Sequence, residues 1–267
     1  MSPLVSRILF VLVLLPLVIG VAYLGGWWLF GLALVAGVIA LHELYTLGRE
    51  LRPLLLAGYL GFFLSVLGLE LGGIAWMFGG VVSTLFLSFV VFGLSDVRPS
   101  ATASFGITLL GVVWIGGGVG FLVLVREIPD KGFWAVMAVL FAVFAADTAA
   151  FFVGRAVGRH KMAPVISPGK TWEGFVAGVL AAMVATFLIL YQDRDTFLTV
   201  PEMLGLGAAV ALAGVAGDLF ESAVKRDLGV KDSGRLLGGH GGMLDRLDAL
   251  LWAGPAAFFL ILAYGHA

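Results

Sequence analysis

An all-α, polytopic membrane protein is what the sequence predicts, on three observations. Of 267 residues, 61% are hydrophobic and only 12% are charged, whereas a soluble domain carries about 25% charged residues. Apolar runs of near twenty residues recur along the whole chain, the length a helix needs to cross the ~30 Å hydrocarbon core of a bilayer. The Lys and Arg residues gather on alternate connections between those runs. Such a composition cannot be folded around one aqueous core. A net charge of −1 offers no bulk basic field for nucleic acid. The absence of Cys excludes disulfides and thiolate metal sites.

Nine spans are expected, at 7–24, 27–47, 54–72, 75–95, 103–125, 133–153, 172–191, 202–222 and 249–265. The first apolar run is long and no small-x-small cleavage site follows it, so it reads as a retained helix rather than a signal peptide. Gly25-Gly26 separates the first two spans and Gly72-Gly73 the third and fourth. Both joints suit tight hairpins, because Gly tolerates backbone angles other residues avoid. Gly is also frequent inside the spans, as in "GGGVG" at 116–120, where small residues let membrane helices approach closely. With this count, 13 of the 16 Lys and Arg residues share the side of the N-terminus, and only Arg126, Lys131 and Arg194 lie opposite. The positive-inside rule then places the N-terminus and the basic loops in the cytoplasm. No long-period repeat, linker or soluble domain interrupts the pattern. The expected organisation is a single membrane-embedded domain over 1–267.

Polar residues concentrate at one place. The stretch 225–248, "KRDLGVKDSGRLLGGHGGMLDRLD", holds five of the 16 basic residues. Asp218 and Glu221, three apart, share a helix face within a span, and Ser222 and Lys225 continue it toward the cytoplasm. Asp245 and Asp248 repeat the spacing at the start of the last helix. Ionisable groups inside a membrane are costly and face a partner or a wet cavity. Paired carboxylates with oxygen-only neighbours suit a hard cation such as Mg²⁺. Lys225, Arg226, Lys231 and Arg235 suit phosphate oxygens. The glycines around His240, with Gly241 and Gly242, allow backbone N–H groups to approach a ligand. Metal, cations and backbone donors together are the requirements of phosphoryl or nucleotidyl transfer. Basic loops by themselves also serve topology and anionic headgroups. Glu43, another acid within a span, reads either as a helix-packing hydrogen bonder or as part of the site. His240 reads either as a loop-ordering hydrogen bonder or as a ligand-binding group.

A second cytoplasmic stretch, 147–174, reads "DTAAFFVGRAVGRHKMAPVISPGKTWEG". Its "GKT" is not a P-loop, since Pro164 stands where that motif requires Gly. "SPGKT" is expected to form a turn, set by Pro168 and Gly169, feeding a helix capped by Thr171. Lys170 then lies beside a helix N-terminus, where anions are favoured.

The run Ser222-x-Val224-Lys225-Arg226-x4-Lys231-Asp232-x-Gly234-x2-Leu237-Gly238-x-His240-Gly241-Gly242-Met243-x-Asp245-Arg246-Leu247-Asp248 resembles the signature of the phosphatidate cytidylyltransferases, or CDP-diacylglycerol synthases. "GDLFES" at 217–222 looks like the segment leading into it, and 147–174 resembles the family's second conserved region. Gly238 stands where Pro is common and Phe151 where Tyr is common. The resemblance implies a Mg²⁺-dependent reaction of CTP with phosphatidic acid, giving CDP-diacylglycerol and pyrophosphate. It further implies a dimer in the cytoplasmic membrane of a bacterium. Helices within 1–125 then serve packing, dimer or lipid contacts, and 126–267 carries the site.

Combined with the residue reading, the expected metal ligands are Asp218 and Asp245, assisted by Glu221 and Asp248, with room for a second cation. Lys225, Arg226 and Lys231 hold triphosphate or lipid phosphate, helped by Lys170, Arg246 and Ser222, and His240, Gly241 and Gly242 place backbone donors. A cytidylyltransferase for another lipid phosphate and a CTP-dependent lipid kinase share these features. A transporter would use Asp147, Asp218 and Glu221 as ion sites, but the paired repeats of such folds are not visible.

Overall fold

The structure is a computed structural model that describes residues 3–95, 100–234 and 241–266, with side chains from residue 14 onward. Its helices are α1 (Pro3–Leu24), α2 (Gly26–Leu47), α3 (Leu55–Gly93), α4 (Ala101–Gly111), α5 (Gly117–Arg126), α6 (Gly132–Val157), α7 (Trp172–Leu190), α8 (Val200–Asp227) and α9 (Leu244–Ala263). One two-stranded ribbon, β1 (Lys161–Ala163) and β2 (Ser167–Thr171), lies between α6 and α7. The all-α expectation holds. Among the described residues seven helices are long and apolar enough to cross a membrane, with α4 and α5 forming one through a π-helical turn at Val112–Gly116.

The glycine joints behave as the sequence predicts. Gly25 and Gly26 both take positive φ between α1 and α2. Helix α3 runs 39 residues, about 58 Å if straight, nearly twice the bilayer core. It is broken where Gly72 (φ −150°, ψ 15°) and Gly73 (φ 71°, ψ −160°) leave helical geometry. Its two arms fold back on each other. A Cβ at Gly68 would strike the Trp76 backbone, one at Gly80 the Ser65 backbone, and one at Gly61 the Thr84 side chain.

The described chain forms two compact units. The first comprises Met1–Leu124 with Asp232–Leu247, and the second Val125–Lys231 with Asp248–Ala267. The short segment 232–247, from the heart of the signature, thus groups with the N-terminal helices. In the first unit, the buried Tyr45 hydroxyl donates to the Thr108 carbonyl at 2.9 Å, and the Thr108 hydroxyl accepts from Leu54 N at 2.9 Å. In the second, α6, α7 and α8 pack through glycines. A Cβ at Gly174 would meet the Ala150 carbonyl, one at Gly178 the Ala146 carbonyl, and one at Gly207 the Met183 backbone. Such small residues bring helix backbones together where lipid supplies no hydrophobic drive. Helix α8 begins with a capping box, Thr199 N donating to Glu202 Oε2 at 2.7 Å.

The segment "SPGKT" corrects the sequence reading: Ser167–Thr171 is strand β2, paired antiparallel with β1 as Lys161↔Thr171 and Ala163↔Ser167. The turn falls at 164–166 instead. Pro168 lacks a donor but is tolerated because a two-stranded ribbon leaves an open edge. The expected cap is present, with Gly174 N donating to Thr171 Oγ1 at 3.2 Å. His160 and Glu173 tie the ribbon's base to α7, Nδ1 to Oε1 at 2.6 Å.

Candidate active site

The second unit gathers four carboxyls and two lysines. Asp218, Glu221, Ser222 and Lys225 follow one another along the last turns of α8. Lys170, the penultimate residue of β2, places Nζ 2.7 Å from Asp218 Oδ2 and donates to the Val215 carbonyl at 3.4 Å. Ser222 Oγ donates to Asp218 Oδ1 at 3.3 Å. One turn further, Glu221 is 1% exposed, and Lys225 Nζ lies 2.9 Å from its Oε2. Asp248, on α9, lies beside Glu221 and within electrostatic range of Asp218 and Asp147. Its Oδ1 also accepts from Ala249 N at 2.7 Å. Gly217 permits this approach, since a Cβ there would strike the Asp248 carbonyl and the Trp252 ring.

Asp147, on α6, interacts with both Asp218 and Lys170, so it joins a cluster in which the sequence places it only under the transporter alternative. The available signal was an acid in mid-span; the fold brings α6 to α8. Among the described residues four carboxyls lie near two ammoniums, and so acid-rich a setting favours a further cation.

The C-terminus of α8 closes as a Schellman motif. Val230 N donates to the Lys225 carbonyl at 2.9 Å and Gly229 N to the Arg226 carbonyl at 3.1 Å. Gly229 supplies the left-handed φ of 71°. Arg226 donates to the Val230 carbonyl at 3.3 Å, and Lys231 is exposed just beyond. The sequence "KRDLGVK" therefore presents its cations from a closed helix end.

The first unit holds the other half of the signature on one buried acid. Glu43 of α2 is 4% exposed. Its Oε1 accepts from Met243 N at 2.9 Å, and its Oε2 from Leu244 N at 2.8 Å and Ser233 Oγ at 3.2 Å. These backbone donors open α9, where helix N–H groups lack intrahelical partners. Asp245 accepts from Ser233 N at 3.0 Å and Gly242 N at 2.8 Å through Oδ2, and from Ser233 N at 3.3 Å through Oδ1. Gly234 and Gly242 lie against the Glu43 carboxylate, where a Cβ would collide. Gly241 adopts φ 78°. Both ends of the 233–244 loop thus close on Glu43, which makes it a loop-holding residue. Arg246 is exposed on α9. His240 and Arg235 lie outside the described residues.

Among the described residues, no three His, Asp or Glu side chains converge as a ready metal site. The donor chemistry of the second unit nonetheless fits a hard cation. Asp147, Asp218, Glu221 and Asp248 offer only oxygen, and the ammoniums of Lys170 and Lys225 occupy cation positions on two of them.

The model of the cytidylyltransferase family matches residues 5–264. The chain belongs to this family. It is 43% identical over 130 residues to a phosphatidate cytidylyltransferase of Haemophilus influenzae, covering 48% of this chain and 45% of that one. It is 38% identical over 154 residues to one of Staphylococcus aureus, covering 58% of each. A third, of Mycobacterium bovis, is 34% identical over 245 residues, covering 85% of this chain and 78% of the relative. The chain thus spans about half the length of the first two relatives and over three quarters of the third.

Proposed function

We propose that this membrane protein transfers CMP from CTP to phosphatidic acid, yielding CDP-diacylglycerol and pyrophosphate in phospholipid synthesis. The observation that carries this reading is the Lys170–Asp218 contact at 2.7 Å. It joins the two polar motifs of the sequence in one acid-rich, lysine-bearing cluster within the second unit.

The lipid phosphate brings its own nucleophilic oxygen, so no Ser or Cys nucleophile is needed. That oxygen attacks the α-phosphorus of CTP, a new O–P bond forms, and the α–β bridging bond breaks. The electron pair leaves with pyrophosphate. Catalysis then rests on positioning and charge neutralisation. Lys225, Arg226 and Lys231, at and beyond the closed end of α8, bind phosphate oxygens. Lys170 shifts between Asp218 and an incoming phosphate, holding the carboxylate until substrate arrives. Glu43 and Asp245 fix the ends of the glycine loop, where Gly241 and Gly242 offer backbone donors, and His240 and Arg246 would assist in binding phosphate. Asp218 and Asp248, with Glu221 and Asp147 assisting, would hold Mg²⁺, which neutralises phosphate charge when bound. Nine crossings with a cytoplasmic N-terminus would place the basic loops and the site at the cytoplasmic face of the inner membrane, and a homodimer is the expected assembly.

The test is pyrophosphate release by purified protein in detergent, supplied with CTP, Mg²⁺ and phosphatidic acid, beside Asp218→Asn. Release that requires all three components and collapses in the variant supports the proposal. Release with a different lipid phosphate only would move the acceptor, and release of CDP in place of pyrophosphate would make the reaction a kinase's. No release from folded protein with any lipid phosphate would overturn the reading.

A further inference from the structure

The connection between α2 and α3 forms a basic cavity that the proposed reaction does not use. Its volume is about 340 Å³, and it is lined by His42, Tyr45, Thr46, Arg49, Arg52 and Leu55, with Pro53. Small-molecule pockets begin near ~300 Å³. The floor is fixed: the Tyr45 hydroxyl is held by the Thr108 carbonyl at 2.9 Å, and His42 Nδ1 by the Tyr59 hydroxyl at 2.8 Å. Arg49 and Arg52 are exposed, and neither is paired with a carboxylate among the described residues.

Arg52 carries a second observation. Its backbone is left-handed, φ 53° and ψ 64°, a conformation disfavoured for residues with a Cβ. The following Pro53 biases its neighbour further toward extended geometry. Gly or Asn would take this position at lower cost. An arginine held there against its backbone preference points to a use for the guanidinium.

Placement narrows the ligand. Two apolar helices end and begin here, at Leu47 and Leu55, so the cavity lies where hydrocarbon gives way to headgroups. Leu55 and Leu56 are 50% and 61% exposed beside it, a surface suited to acyl chains. The arginine fork matches phosphate oxygens in bidentate fashion. We infer that this cavity binds the phosphate headgroup of an anionic membrane lipid, with its acyl chains along the start of α3. The inference stands on the first unit alone and does not depend on the proposed reaction.

The experiment titrates full-length protein in detergent with dioleoyl phosphatidylglycerol, read by native mass spectrometry. Phosphatidylcholine and inorganic phosphate run in parallel. Arg49→Gln/Arg52→Gln should weaken the tightest phosphatidylglycerol binding about 30-fold, from two lost surface cations. Arg49→Lys/Arg52→Lys should fall between, keeping charge but losing the fork. Thr46→Trp fills the cavity without altering charge and should lose the same binding, whereas arginines that serve topology alone would leave it unchanged. Equal phosphatidylglycerol affinity in wild type and Thr46→Trp, or in wild type and a folded Gln variant, overturns the inference. So does displacement of the bound lipid by millimolar inorganic phosphate, or equally tight retention of phosphatidylcholine.

Discussion

Lys170 and Asp218 lie 2.7 Å apart, nitrogen to oxygen, although one is the penultimate residue of a strand and the other lies along the last turns of α8. A partly buried charged pair is offset chiefly by the contact between its partners, and removing either changes the charge balance of the cluster that also holds Asp147.

Asp218→Asn should lower turnover about 100-fold or more, since it removes a carboxylate from the reacting cluster. Lys170→Ala should also lower it, and the double variant should lose less than the product of the two, because the pair acts together. Strictly multiplicative losses in pyrophosphate release would show that the contact has no functional coupling.

Glu43→Gln should lower stability by about 1–3 kcal/mol. The amide oxygen can still accept, but whichever way the amide is turned its NH₂ group meets a backbone donor, Met243 N or Leu244 N. Thermal unfolding in detergent measures this. An unchanged Tm would mean that water satisfies these donors.

Gly242→Ala pushes a methyl group into Ser233 Oγ and the Glu43 carboxylate, whereas Gly106 in α4 has open space around it. The first substitution should cost about 1–3 kcal/mol and about 10-fold or more in turnover through the displaced loop. Gly106→Ala should match wild type in both assays. Equal behaviour of the two variants would remove the claim that the loop packs tightly on Glu43.

Gly73→Ala should destabilise the hairpin of α3 by about 1–3 kcal/mol, because φ 71° with ψ −160° belongs to glycine. A comparison of Tm with Gly79→Ala, which meets open space in the same helix, isolates the backbone effect.

Chelation should abolish turnover and Mg²⁺ should restore it, with Asp248→Asn needing more Mg²⁺ for half-maximal rate. Full turnover after exhaustive chelation would take the metal out of the proposal.

The sequence determined the class of fold by itself, because hydrophobic length against bilayer thickness is a local quantity. The places of the long apolar helices, the Gly72-Gly73 break and the Thr171 cap follow from composition and backbone preference within a few residues. The polar residues of 217–248 were legible for a related reason: an ionisable group in an apolar run is conspicuous at any position. "SPGKT" was misread as a turn because its strand pairing with Lys161–Ala163 is a contact with another segment, and Pro-Gly alone favours a turn. Tertiary structure alone decided the partners. Asp147 joins Asp218 because α6 packs near α8, and Glu43 holds Leu244 across 201 residues because α2 meets the start of α9. Hydrogen bonds and ion pairs act over a few ångströms whatever the separation along the chain, so only the packed fold could assign Glu43 to the loop and Lys170 to Asp218.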